Sequence, residues 1–275
     1  MKTITQNNID KFTAYLVKEE KSNATVSKYI HDVTAFYIWI GENEITKEKM
    51  TEYKKHLTEQ MMPRSVNSVI SSLNSFMDFM NYHDCKVKTL KIQRKIFAEK
   101  DKELTKAEYE RLLKAAKEKN NERLYLLMQT ICACGIRVSE LKYITTEAVH
   151  KGQGIINCKG KMRTVFLPSA LCKILKEYIK KHNIKSGSVF VSKNGKPLDR
   201  SNIWSDMKKL CKSAGVSKDK VFPHNLRHLF ARTFYSLQKD IVRLADILGH
   251  SSIETTRIYT MENGDTHRKL IKKCV

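Results

Sequence analysis

The sequence predicts a mainly helical protein with one small β-sheet, built as a helical bundle followed by a larger α+β domain. Apolar residues recur at three- and four-residue intervals along most of the 275 residues. A single pair of short β-prone pieces interrupts that pattern, in the second half of the chain. A basic stretch without apolar periodicity, residues 88–102, parts the two regions. A chain of this length can bury a full core in each of two domains without staples. The expected bounds are residues 1–87 for the bundle, 88–102 for the linker and 103–275 for the second domain, with a C-terminal tail from about residue 262.

Charge narrows the partner. The formal net charge is +22, with 16 Lys and Arg against 12 Asp and Glu in residues 1–100, and 35 against 17 in residues 101–275. An excess of that size serves a polyanion, and nucleic acid leads. No apolar run approaches the roughly 18 residues of a spanning helix, so no membrane partner is expected. The opening Met-Lys-Thr-Ile-Thr-Gln-Asn lacks the apolar core of a signal peptide, and a cytoplasmic, nucleoid-associated location is expected. Seven cysteines, odd in number and without a Cys-x-x-Cys pair, read as reduced thiols and not as a metal set.

In the first region, Val26, Tyr29, Ile30, Val33, Phe36, Tyr37 and Ile40 define an amphipathic helix that Asn23-Ala24-Thr25 can cap. A second opens at Pro63 and carries Val66, Val69, Ile70, Leu73, Phe76, Met77 and Met80. Proline suits a first turn because its missing N–H would have no helical partner there. Patterns at Ile9, Phe12, Leu16 and at Met50, Tyr53, Leu57 complete about four helices. The polar face of the Pro63 helix carries Ser and Asn where a solvated face normally carries Glu and Lys. Arg64, Asn67, Ser68 and Ser71 there are candidate phosphate contacts, against the plainer reading of a Ser-rich surface. Arg94 and Lys95 of the linker are further candidates.

The second domain opens on a capping box, Thr105 to Glu108, with Leu104 and Tyr109 placed as its hydrophobic staple. Gly135 closes the apolar run Leu124–Cys134, and Arg137 follows at the helix junction. Residues 154–158 and 163–167 then form a hairpin whose tip, 159–162, carries Lys159 and Lys161; Lys161 and Arg163 are candidate DNA contacts. Helical patterns return at Leu171, Ile174, Leu175, Tyr178 and at Ile203, Met207, Leu210. Pro223 starts a helix with His224 and Arg227 on one side and Leu226, Phe230 and Phe234 towards the core. The spacing of His224 and His228 mimics a zinc protease, but Asn225 stands where its Glu would be and Arg227 would put a cation beside the metal. Residues 244–259 read as a helix, a Gly249 stop, a Ser cap and a short helix ending in Tyr259, a shape that also fits a helix-turn-helix DNA reader.

Arg137 within Gly-Ile-Arg-Val-Ser-Glu-Leu, then His224-x-x-Arg227-His228, then Leu-Gly-His250 with Tyr259 nine residues on, resembles the tyrosine recombinase (phage integrase) family, and its simple Xer-like members in particular. The three motifs agree in order and spacing across residues 135–259, and the resemblance extends over the whole chain. It implies an N-terminal helical, SAM-like core-binding domain and a tyrosine recombinase catalytic domain, together a C-shaped clamp on DNA. It further implies a metal- and ATP-independent transesterification through a 3′-phosphotyrosine and a Holliday junction, serving DNA integration, excision or dimer resolution. No cofactor is expected. The partners implied are duplex DNA with paired half-sites, a tetrameric synapse of identical copies or a second recombinase, and an accessory DNA-bending protein. The C-terminal tail, by the same likeness, packs on a neighbouring protomer.

On this resemblance Tyr259 is the nucleophile, Arg137 and Arg227 hold the scissile phosphate, and His250 bonds a nonbridging oxygen. His224 is the candidate base, and a hairpin lysine protonates the leaving 5′ oxygen. The tip is one residue shorter than the family's Gly-Lys-Gly-x-Lys pattern, which leaves Lys159 and Lys161 both open and favours Lys159, because Gly160 follows it. Glu140 is expected to orient Arg137 or that lysine. Two other functions fit parts of the pattern: a catalytically silent DNA-binding regulator and a type IB topoisomerase.

Overall fold

The structure, a computed structural model, describes residues 2–92, 102–158, 161–192, 194–259 and 272. The chain divides into two compact units, residues 1–94 and 95–275. Arg94, Lys95, Lys159 and nearly all of the expected tail lie outside the described residues, and of Lys161 only the backbone is described.

The first unit holds α1 (Gln6–Lys18), α2 (Asn23–Ile40), α3 (Lys47–Gln60) and α4 (Pro63–Phe79). Side-chain oxygens of Thr5, Ser22 and Thr46 accept from the first-turn N–H groups of α1, α2 and α3, so Ser22, not the Asn23–Thr25 segment, caps α2. The apolar stripes meet as expected. Phe12 packs edge-on to Phe76 with ring centroids 5.1 Å apart, and Phe36 lies 5.0 Å from Tyr53.

The Ser- and Asn-rich face of α4 departs from the expectation of free surface donors. The Asn67 amide donates to the Leu90 carbonyl and accepts from the Leu90 N–H, and Asn74 clasps Val87 in the same way. A primary amide presents one donor and one acceptor side by side, as a β-strand neighbour does, so it can pair an extended backbone. Residues 87–90, taken in part as the start of the linker, are thereby tied to α4. Ser72 is buried and donates to the buried Asp32 carboxylate at 2.6 Å, with the Lys28 ammonium 3.0 Å from its hydroxyl. Arg64, Ser68 and Ser71 remain exposed, although Ser71 donates back to the Asn67 carbonyl.

In the second unit come α5 (Lys106–Glu118), α6 (Glu122–Cys134), a 3-10 turn Val138–Tyr143 and α7 (Thr146–Lys151). An antiparallel hairpin follows, β1 (Gln153–Cys158) and β2 (Lys161–Phe166), with Ile156 opposite Arg163 and Cys158 opposite Lys161. The chain continues through α8 (Ser169–Lys181), α9 (Arg200–Lys208), α10 (Cys211–Ala214), α11 (Pro223–Gln238), α12 (Ile241–Leu248), α13 (Ile253–Thr256) and a 3-10 turn Arg257–Tyr259. The Thr105–Glu108 capping box is present in both directions. No helix among the described residues is long and apolar enough to cross a membrane.

Helix α11 is central to this unit. Leu226 and Ala231 are buried, and Asn225 donates to the carbonyls of Lys102 and Lys220. Arg232 donates to the Leu104 carbonyl and pairs with Glu103, so the entry of the domain is stapled to the helix that carries His224, Arg227 and His228. Gly135, at the left-handed end of α6, lies so close to α11 that a Cβ would overlap the Phe230 ring. Gly215 is also left-handed, but nothing lies near its missing Cβ. Gly135→Ala is expected to destabilise by about 3 kcal/mol or more, from overpacking added to backbone strain. Gly215→Ala should cost about 1–2 kcal/mol from strain alone. Urea midpoints of the two variants would test the difference, and equal losses would mean that Phe230 moves aside freely.

Candidate active site

Arg227 is the anchor. Its side chain is 1% exposed, yet its guanidinium donates from Nη1 to the Gly135 carbonyl at 2.6 Å and from Nη2 to the Leu248 carbonyl at 2.7 Å. Gly135 caps α6 and Leu248 ends α12, so two helix C-termini, with their unpaired carbonyls and partial negative charge, converge on one cation. Burial lowers its pKa to about 10, helped by the nearby Arg137 and opposed by Tyr259 and Glu140, so it stays charged at neutral pH. Its Nε–H is buried and has no partner among the described residues.

Glu140 is the counter-charge. Its carboxylate, 1% exposed, accepts from the Arg137 backbone N–H at 2.7 Å and from Arg137 Nη1 at 2.9 Å, receives Arg163 Nη2 at 2.7 Å, and lies 3.9 Å from Arg227 Nη1. Burial alone would raise this carboxyl. The Arg137 N–H and the Arg163 and Arg137 charges outweigh it and hold the group below the ordinary range. Arg137, 39% exposed, opens with Arg227 and His224 onto a cavity of about 840 Å³, which Arg200, Ser201 and Trp204 of α9 also line.

The imidazoles and Tyr259 form a second layer. His250 Nε2 lies 3.0 Å from Arg227 Nη2, which can only donate, so Nε2 accepts and Nδ1 carries the hydrogen towards Thr256 Oγ1 at 2.8 Å. The His228 ring lies 4.4 Å from that of His224 and meets the Tyr259 ring edge-on at 4.8 Å; its Nε2 is buried and has no partner among the described residues. Tyr259 is 5% exposed and seated with Ala231, Leu244 and Leu248. Desolvation, then neighbouring cations, push His250 down to about 4; desolvation, then His224 and Arg227, do the same to His228. His224, on the rim, is also lowered, by desolvation and by Arg227, Arg137 and Arg200.

The structure thus gathers Arg137, His224, Arg227, His250 and Tyr259 around one centre. Arg163, expected to reach DNA from the hairpin, instead turns inward to Glu140 and the Ile247 carbonyl. The alternation of β2 carried that information: residues 163, 165 and 167 share a face, and Val165 and Leu167 are buried. Asn67 is likewise committed to Leu90 and is not a free donor. The roles of Thr256, His228 and the α9 wall had no comparable local signal, because they arise from distant segments meeting.

Three guanidinium groups around one carboxylate, with neutral imidazoles and a phenol behind them, form a site for an anion and for proton exchange. Comparison with known proteins sharpens that class. Residues 102–265 match the phage integrase family, and residues 9–82 match the phage integrase N-terminal SAM-like domain. The chain belongs to the phage integrase family, the tyrosine recombinases. It is 29% identical to tyrosine recombinase XerA of Pyrococcus furiosus over 269 residues, covering 94% of this chain and 91% of that protein. It is 30% identical to a tyrosine recombinase of Thermosipho africanus, covering 91% and 93%. A lambda integrase tetramer solved on a Holliday junction shares the fold, with a TM-score of 0.74 at 18% identity over 94% of this chain and 77% of that one.

Acid should loosen this centre. His228 and His250 resist protonation in the folded state down to about 4, whereas the unfolded chain takes up protons near 6.5. Glu140, lowered by folding, acts in the same direction at lower pH. The melting temperature of the DNA-free protein is therefore expected to fall between about pH 7 and about pH 5, and His250→Gln, which lacks a titrating ring, should fall less steeply. Identical slopes would show that His250 titrates as an ordinary histidine.

Proposed function

We propose that this chain is a site-specific recombinase that cuts and rejoins duplex DNA through a covalent 3′-phosphotyrosine at Tyr259. The observation that carries this reading is the pairing of Arg137 and Arg227 on Glu140 at the wall of one cavity, beside His224. A phosphodiester resists attack because its oxygens repel a nucleophile, and fixed guanidinium forks offset the charge that builds in the transition state. Arg137 is open to the cavity, and Arg227, buried at its wall, adds a second fixed positive charge that offsets the charge of a phosphate there.

In the reaction the Tyr259 hydroxyl attacks phosphorus, the P–O5′ bond breaks, and the 3′ end stays on the tyrosine. The phenol proton passes to an imidazole, assigned to His224, and the departing 5′ oxygen takes a proton from Lys159 or Lys161. His250, whose Nε2 accepts from Arg227, orients that guanidinium towards the same phosphate. The ester keeps the energy of the broken bond, so a 5′ hydroxyl of a second strand reverses the step without ATP.

The net charge of +22 and the exposed Arg64, Ser68 and Ser71, with Arg94, Lys95 and Lys161, serve the phosphate backbone. The substrate is DNA with paired half-sites, joined by four copies of this chain or by this chain with a second recombinase, and bent by an accessory protein where the site requires it. The protein works in the cytoplasm, on the nucleoid.

The test is covalent trapping on nicked duplex DNA taken from the flanks of its own gene, without added metal or ATP. Wild type should give an SDS-resistant protein–DNA band and Tyr259→Phe none, while Arg137→Ala and Arg227→Ala should slow its formation by about 10²-fold or more. A band that persists in Tyr259→Phe removes that residue as nucleophile, and tight binding with no band favours a silent regulator. Affinity should fall steeply as salt rises, and a constant unchanged over a fourfold rise would sink the phosphate-contact model.

A further inference from the structure

We propose that Arg163 is a positioning residue for strand cleavage: it fixes β2 against the segments that carry Arg137 and His250, and so sets the hairpin lysine that protonates the leaving 5′ oxygen. This rests on the function proposed above. The geometry is directional. Arg163 Nη2 donates to Glu140 at 2.7 Å, and Nη1 donates to the carbonyl of Ile247, the residue before the Leu248 carbonyl that holds Arg227. One guanidinium therefore ties β2 both to the Arg137–Glu140 turn and to the end of α12. The side chain is 12% exposed and lies against Gly249, where any Cβ would collide with its stem.

The hairpin needs such a tie. Two strands alone are marginal in water, and β1 and β2 have no third strand among the described residues. Ile156 and Val165 bury apolar contacts, but apolar contacts tolerate small slips that a charge-assisted fork does not. Lys161 and Lys159 precede Arg163 by two and four residues, within and just before the same strand. A proton donor displaced by about 1 Å can lose about 10²-fold in rate. A direct phosphate contact by Arg163 fits less well, since both of its outer nitrogens already have acceptors within the protein.

The experiment uses two nicked duplexes that differ in one atom, with oxygen or sulfur at the 5′ bridging position of the scissile phosphate. A thiolate leaves without protonation, so the sulfur substrate bypasses the lysine. Arg163→Met should form the covalent complex about 10²-fold more slowly than wild type on the oxygen substrate, and at close to the wild-type rate on the sulfur substrate. The same rescue is expected for alanine at whichever of Lys159 and Lys161 is the donor. Equal slowing on both substrates would overturn the proposal. So would a loss of DNA affinity with a salt slope shallower by about one, the signature of a phosphate contact. If Arg163→Met does not fold, Arg163→Lys, whose single ammonium cannot hold both acceptors as the fork does, gives the same comparison. A wild type that forms no complex on either substrate fails the phosphotyrosine reading itself, and the role of Arg163 falls with it.

Discussion

A guanidinium taken wholly out of water must find its hydration replaced within the protein, and at Arg227 that demand organises the second unit. The replacement comes from two stretches far apart in sequence, the Gly135 carbonyl on one and the Leu248 carbonyl with His250 Nε2 on the other, with Glu140 close behind. Removing one partner of a buried charge commonly costs about 3–5 kcal/mol, because the charge left behind is uncompensated. The ends of α6 and α12 are thus held to α11 by an electrostatic requirement and not by apolar packing alone. The two glycines beside these ends, Gly135 and Gly249, supply the left-handed backbone and the clearance that let them approach.

The same centre is unbalanced by design of its charges. Glu140 is a single carboxylate among Arg137, Arg163 and Arg227, so positive charge remains uncancelled, and the least buried of the three faces the cavity. Desolvation, with that positive excess behind it, keeps the neighbouring imidazoles neutral, since a proton on His228 or His250 would add a further cation to a site already out of water.

In the first unit, polar groups are spent on folding as much as on surface. Asp32, Lys28 and Ser72 join α2 to α4, and the Asn67 and Asn74 amides hold residues 87–90 in the manner of a neighbouring strand. Such pairings explain why a helix face rich in Ser and Asn can be structural: short polar side chains reach backbone groups that Lys or Glu would overshoot.

Much of this was written locally. Three- and four-residue apolar spacing located the stripes of α2 and α4, Pro63 and the Thr105–Glu108 box marked helix starts, and Gly135 and Gly249 marked helix ends, because each depends on neighbours within one turn. The candidate residues Arg137, His224, Arg227, His250 and Tyr259 were legible through their order along the chain. Only tertiary structure decided that Arg163 turns inward, that His228 and not His224 lies against the Tyr259 ring, and that Asn67 is bound to Leu90. These outcomes turn on which distant carbonyl, carboxylate or ring a side chain meets. Sequence by itself determines periodicity, caps and breaks, while the partner of a buried polar group is chosen by where the rest of the chain has folded.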